Sequence, residues 1–144
     1  MSNQNNGFNV NAFQPKWIES QIETEGIEFA DRLGKFLCDL RDNNRPGFNA
    51  MTTTQIRNIF GEVKRIQRAG IENSGSDFLL LRPKLAYAEA RAVAKSPRNK
   101  ISTFRQVIER AHKAVKLDDK ASFQRFVDFF EAILAYHKAY GGKD

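Results

Sequence analysis

Apolar residues in this chain recur at three- and four-residue steps almost throughout, and no segment alternates apolar with polar long enough to make a half-buried strand. A helix turns once in about 3.6 residues and gathers such positions onto one face, so the pattern predicts an all-α protein. With 144 residues, and about 100–200 residues per domain, we expect a single compact bundle of about five to six helices. Twelve Phe within a 41% hydrophobic composition supply a packed core. The longest apolar run is five residues, Ala132–Tyr136, against roughly 20 for a membrane span. Residues 1–15 contain no Lys or Arg and no apolar centre, so they do not read as a secretory signal. One cysteine, Cys38, and two histidines can form neither an internal disulfide nor a four-ligand zinc site. The expectation is a soluble, cytoplasmic domain without metal or cofactor.

Residues 1–15 are rich in Asn and Gln and read as a disordered or loosely docked arm, with 16–144 as the folded domain. Phe8, Val10 and Phe13 are the residues of that arm able to pack on a neighbour. Trp17, Ile18 and Ile22 suit a short helix. Ile27, Ala30, Leu33, Leu37 and Leu40 then mark an amphipathic helix ending near Asp42, before the turn Asn43–Gly47. Thr52 with Gln55 is a capping-box pattern, and Gly70 suits the end of the helix that it starts. A further helix is expected over 83–95, another from Ser102 or Thr103 to Lys116, and a long last one from Asp118–Asp119 to Gly141.

Charge is unevenly placed. Residues 51–116 hold fourteen cations against five anions, while 1–50 hold five against seven and 117–144 four against five. A basic centre between mildly acidic ends points to a polyanion, most simply nucleic acid, or else to a solvated face that aids solubility. On the helix that starts at Thr52, Ile56, Ile59, Phe60, Val63 and Ile66 fall between about 280° and 40° when Ile56 is set at zero. Arg57, Lys64, Arg65 and Arg68 fall between about 80° and 180°. Gly61, at about 140°, either lets a phosphate approach closely or accommodates a neighbouring helix. Arg91 and Lys95 project from one face of the next helix, and Lys95–Lys100, with Arg98, is a basic loop. Most Phe fall on core stripes, so few exposed aromatics interleave the cations, and stacking on bases is not expected.

The sequence holds no Gly-rich phosphate loop, zinc-protease motif or nucleophile elbow. Cys38 sits among apolar helix positions and reads as core, and His137 as a core-edge residue. His112, flanked by Arg110 and Lys113, is the one candidate acid–base group, and it reads as a lone His without an orienting acid. A structural or phosphate-contacting role is favoured for it, its replacement by Ala is expected to leave the fold intact, and no catalytic residue is assigned.

Thr52–Arg57, Leu81–Arg91 and Phe129–Lys138, in this order, resemble the small subunit of the type III-A CRISPR (Csm) effector complex, over roughly residues 27–140. The resemblance implies a non-catalytic, all-helical protein of antiviral defence. It would stack head to tail in a crRNA-guided ribonucleoprotein, beside backbone and large subunits, and contact crRNA and target RNA. Arg57, Lys84 and Arg91 carry over from the matching stretches. Lys64, Arg65 and Arg68 come from the helical wheel, and Lys95, Arg98 and Lys100 from the basic loop. Two other readings are a stand-alone helical DNA-binding protein and a metal-independent ribonuclease built on His112. The first would need a short helix-turn-helix, and the turns Gly70–Ser76 and Ser96–Ile101 are longer than that motif uses.

Overall fold

The computed structural model describes residues 7–39 and 49–143. Among these the chain is helical, without strands: α1 (Lys16–Glu19), α2 (Glu23–Leu37), α3 (Thr53–Ala69), α4 (Gly75–Leu79), α5 (Leu81–Lys95), α6 (Ile101–Ala114) and α7 (Lys120–Ala139), with 3-10 turns at Val10–Ala12 and Ile71–Asn73. The second helix, expected to run to near Asp42, ends at Leu37, where Cys38 leaves the helical conformation at φ −104° and ψ 7°; Leu40–Asp42 and the turn Asn43–Gly47 lie outside the described residues.

Several boundaries are set locally. The Thr52 hydroxyl accepts from the Gln55 amide N–H at 3.1 Å, and the Gln55 side chain accepts from the Thr52 N–H at 2.8 Å, closing the capping box. Gly70 ends α3 at φ +88°, a conformation that a Cβ disfavours. Asp119 caps α7 by accepting from the Ala121 N–H at 3.1 Å. Two expectations are corrected. α5 begins at Leu81, with Pro83 in the first turn, where its missing N–H costs no helical bond. α6 is started by Asn99, whose side chain accepts from the Ile101 N–H at 2.9 Å, so Ser102 and Thr103 lie inside the helix, and it ends at Ala114.

The core is built round α7. Its residues Phe123, Phe126, Val127, Phe129, Phe130 and Ile133 are all buried. α2 packs along it so closely that a Cβ on Gly34 would stand 2.7 Å from the His137 nitrogen and 2.7 Å from the Tyr136 Cβ. Phe29, Ala30, Leu33 and Leu37 fill that contact, whereas Ile27, expected on the same stripe, is 38% exposed at the edge of the buried arc. On α3, Ile56, Val63 and Ile66 are fully buried, and Ile59 and Phe60 are half-buried, Phe60 lying 5.0 Å from the Phe130 ring.

Of the stretch read as a disordered or loosely docked arm, residues 7–15 are described, and the three residues able to pack on a neighbour do enter this core. Phe8, Val10 and Phe13 are buried. Phe13 lies 5.5 Å from both Trp17 and Phe129, and Phe8 stands edge-on to Phe29 at 5.3 Å. Arg125 of α7 holds the end of α1 by donating to the Ile18 and Glu19 carbonyls at 2.6 and 2.8 Å. Three apolar groups are few for such a stretch, but all three meet an aromatic surface that other parts of the chain have already assembled.

Candidate nucleic-acid interface

The predicted cations separate into two exposed sets and one buried exception. Arg57, Lys64 and Arg68 stand on the outer face of α3, where Arg57 and Arg68 make no ion pair among the described residues and Lys64 lies 5.8 Å from the centre of the Phe60 ring. Gly61 lies on this face with nothing within 4 Å of where its Cβ would be, so it accommodates no neighbouring helix among the described residues. Arg65 turns toward α4 and is held by Glu62 at 2.9 Å and Asp77 at 3.5 Å.

The second set lies on α5. Lys84 reaches Glu62 of α3 at 2.9 Å. Arg91 and Lys95, with Ala88 and Ala92, form one wall of a groove of about 280 Å³ that faces Gln55, Asn58 and Ile59 of α3. On the α3 wheel these last three fall at about 200–300°, whereas Arg57, Lys64 and Arg68 fall at about 80–120°. The two sets therefore flank α3 on different sides and do not line one cleft. Arg98 is exposed on the loop after α5. The carboxyl of Glu62 is held below the ordinary carboxylate range by hydrogen bonds from Arg65 and then Lys84, so its charge offsets part of theirs.

Lys100 does not belong with the exposed cations. It is 2% exposed, and its ammonium donates to the Phe36 carbonyl at 3.1 Å and lies 4.4 Å from the Phe36 ring centre. It serves the C-terminal end of α2, where the helix dipole favours a positive charge. Ser96 donates to the Asn49 side chain at 2.8 Å, and the Lys100 amide donates to the Asn49 carbonyl at 2.8 Å, so the basic loop is anchored to the segment before α3. Charge counted along a sequence cannot distinguish a cation that caps a distant helix from one that faces solvent.

Both histidines are structural. His112 is buried, stacked on Phe78 at 3.9 Å, and makes a 2.7 Å hydrogen bond from Nε2 to the Phe78 carbonyl, while Arg82 donates to Nδ1 at 3.0 Å. With one nitrogen donating and the other accepting, the ring is neutral. Burial pushes its pKa down, and the Arg82 charge adds to this. The expectation that His112→Ala leaves the fold intact is thus corrected, since the Phe78 carbonyl and Arg82 would both lose a buried partner. His137 is likewise buried, with Nε2 2.7 Å from the Met51 carbonyl and Nδ1 3.5 Å from the Thr53 hydroxyl, and burial lowers its pKa. Folded-state values below the ordinary 6.5 mean that the unfolded chain binds more protons as pH falls past that point. The stability from these two residues is complete above pH about 6.5 and is lost below it, levelling off only beneath the folded-state values. Melting temperature should accordingly fall between neutral and mildly acidic pH, and less in His112→Gln, whose amide can donate to Phe78 without titrating. An equal fall in that variant would show that His112 is not a source of the effect.

The described Phe residues are buried or half-buried, but Tyr87 is 67% exposed, on α5 one turn before Arg91, whose guanidinium lies 5.9 Å from the Tyr87 ring centre. Its place outside the Leu85, Ala88 and Ala92 stripe was the available signal. No group of three or more potential metal ligands occurs among the described residues, and none of their helices is long and apolar enough to cross a membrane.

Fold and surface define a class: a small all-α protein with both histidines committed to its core and exposed cations along α3 and α5. Residues 29–143 match the family described as Csm2 Type III-A. The chain belongs to this family, the small subunit of the type III-A CRISPR (Csm) complex. It is also 28% identical over 123 residues to the CRISPR system Cms protein Csm2 of Streptococcus thermophilus, covering 81% of this chain and 93% of that one. No solved structure matches the chain significantly.

Proposed function

We propose that this chain is a non-catalytic subunit that contacts the backbone of crRNA and target RNA through the outer face of α3 and the exposed ridge of α5. In this reading it works in the cytoplasm beside the backbone and large subunits of the effector and repeats head to tail, through two different complementary surfaces, as an open array requires. The observation that carries the reading is that Arg57, Arg68, Lys95 and Arg98 are exposed, on surfaces that the core does not use, and make no ion pair among the described residues. The commitment of His112 to Phe78 and Arg82 supports a non-catalytic role.

Binding of this kind depends on phosphates and is sequence-independent, with log affinity falling against log salt at about −0.7 per phosphate for a single strand. Replacing Arg57, Lys64, Arg65 and Arg68 together with Ala should weaken binding of single-stranded RNA and flatten that slope by up to about 3, if each meets one phosphate. The loss of the exposed Arg65 pairs is worth little, and stability should change by only about 1 kcal/mol. Anisotropy titrations across a salt series, with a melting curve for each protein, measure both. A folded variant that binds RNA with wild-type strength and slope would show that the α3 face is only solvated surface. A preference for duplex DNA at matched salt would favour the stand-alone DNA-binding reading instead.

A further inference from the structure

Lys84, Tyr87, Arg91 and Lys95 follow one another at steps of three, four and four residues, which places all four within an arc of about 80° on α5. They make one exposed row about 16 Å long at the helical rise, and Arg91 and Lys95 of it also line the α3–α5 groove. Among the described residues Tyr87 differs from Tyr140, another exposed aromatic, in that its hydroxyl has no hydrogen-bond partner. The Tyr140 hydroxyl donates to Asp31, and its ring lies 5.8 Å from the Lys35 ammonium. The Tyr87 ring has the Arg91 guanidinium beside it at 5.9 Å and makes no hydrogen bond among the described residues. Across the groove stand the side-chain amides of Gln55 and Asn58.

From this juxtaposition we infer that Tyr87 and Arg91 form a stacking step for an unpaired RNA base, with Lys95, and Lys84 where Glu62 releases it, holding the phosphates on either side. The inference rests on the RNA-binding reading and sharpens it. A row of cations alone would accept any polyanion, whereas an exposed ring within the row adds a contact that only a base face satisfies. Bases within a duplex already cover one another's faces, so the matching ligand is single-stranded. The Arg91 plane beside the ring extends the stacking surface and brings a charge to the adjacent phosphate.

The test compares binding of the full chain to oligoadenylate and to an abasic ribose-phosphate strand of equal length, across a salt series. The wild type should prefer the strand with bases by about tenfold. Tyr87→Ala should lose that preference and bind both strands at the abasic level, with an unchanged salt slope and melting temperature. Tyr87→Phe and Tyr87→Trp should retain it. Salt-dependent binding without a base preference in the wild type, or a preference that survives Tyr87→Ala, would overturn the stacking step and leave the backbone contacts standing. Failure of the wild type to bind either strand would overturn the RNA reading itself.

Discussion

Phe13→Ala is expected to destabilise the protein by about 3–5 kcal/mol, the usual cost of truncating a buried Phe. Phe13 is 5% exposed and touches Trp17 and Phe129, with Phe29 only slightly farther at 6.1 Å. It therefore joins the N-terminal segment to α1, α2 and α7 at one point. Truncation leaves a cavity among rings whose positions are fixed by one another, so little of it can collapse. For a chain of this size the melting temperature should drop by about 10–15 °C. Trp17, the sole tryptophan and 2% exposed, supplies an independent readout, since loosening of the cluster should move its emission to the red. An unchanged melting point and emission would mean that the segment lies off the core in solution, as its composition suggests.

Two helical glycines should respond to alanine with opposite signs. Gly34→Ala places a methyl 2.7 Å from the backbone of α7, where neither helix can yield without parting from the other. Overpacking of this kind costs about 1–3 kcal/mol, and Gly34→Val should cost more. Gly61→Ala meets nothing within 4 Å and should stabilise α3 by up to about 1 kcal/mol through helix propensity. Denaturant melts of the two alanine variants measure the difference directly. If both destabilise, Gly61 has a contact outside the described residues. If both stabilise, α2 and α7 are farther apart in solution than the packing of Gly34 on Tyr136 implies.

Most of the helical framework was legible in the residues because the interactions that set it are local. The Thr52 and Gln55 exchange spans three residues, Gly70 needs only its own φ, and Asp119 caps a helix that begins beside it. The buried stripe of α3 follows from helical geometry alone, as does its separation from Arg57, Lys64 and Arg68. The Csm2 family was likewise visible in short stretches of sequence and is matched over residues 29–143.

What the tertiary structure decided were the fates of residues whose partners lie far along the chain. Phe8 and Phe13 are too sparse to order a segment by themselves, and they are buried because α2 and α7 present Phe29 and Phe129 to them. Lys100 has the composition of a surface loop around it, but its ammonium binds the Phe36 carbonyl of another helix. His112 is flanked by Arg110 and Lys113 in sequence, while its hydrogen-bond partners come from α4 and α5. The cations of α3 and α5 look like one basic region when counted along the chain, and the crossing of the two helices puts them on different sides of α3. Periodicity and capping act within a turn or two and are written in neighbouring residues. Burial of an isolated ring or charge depends on which distant surface meets it, and that is settled only when the helices pack.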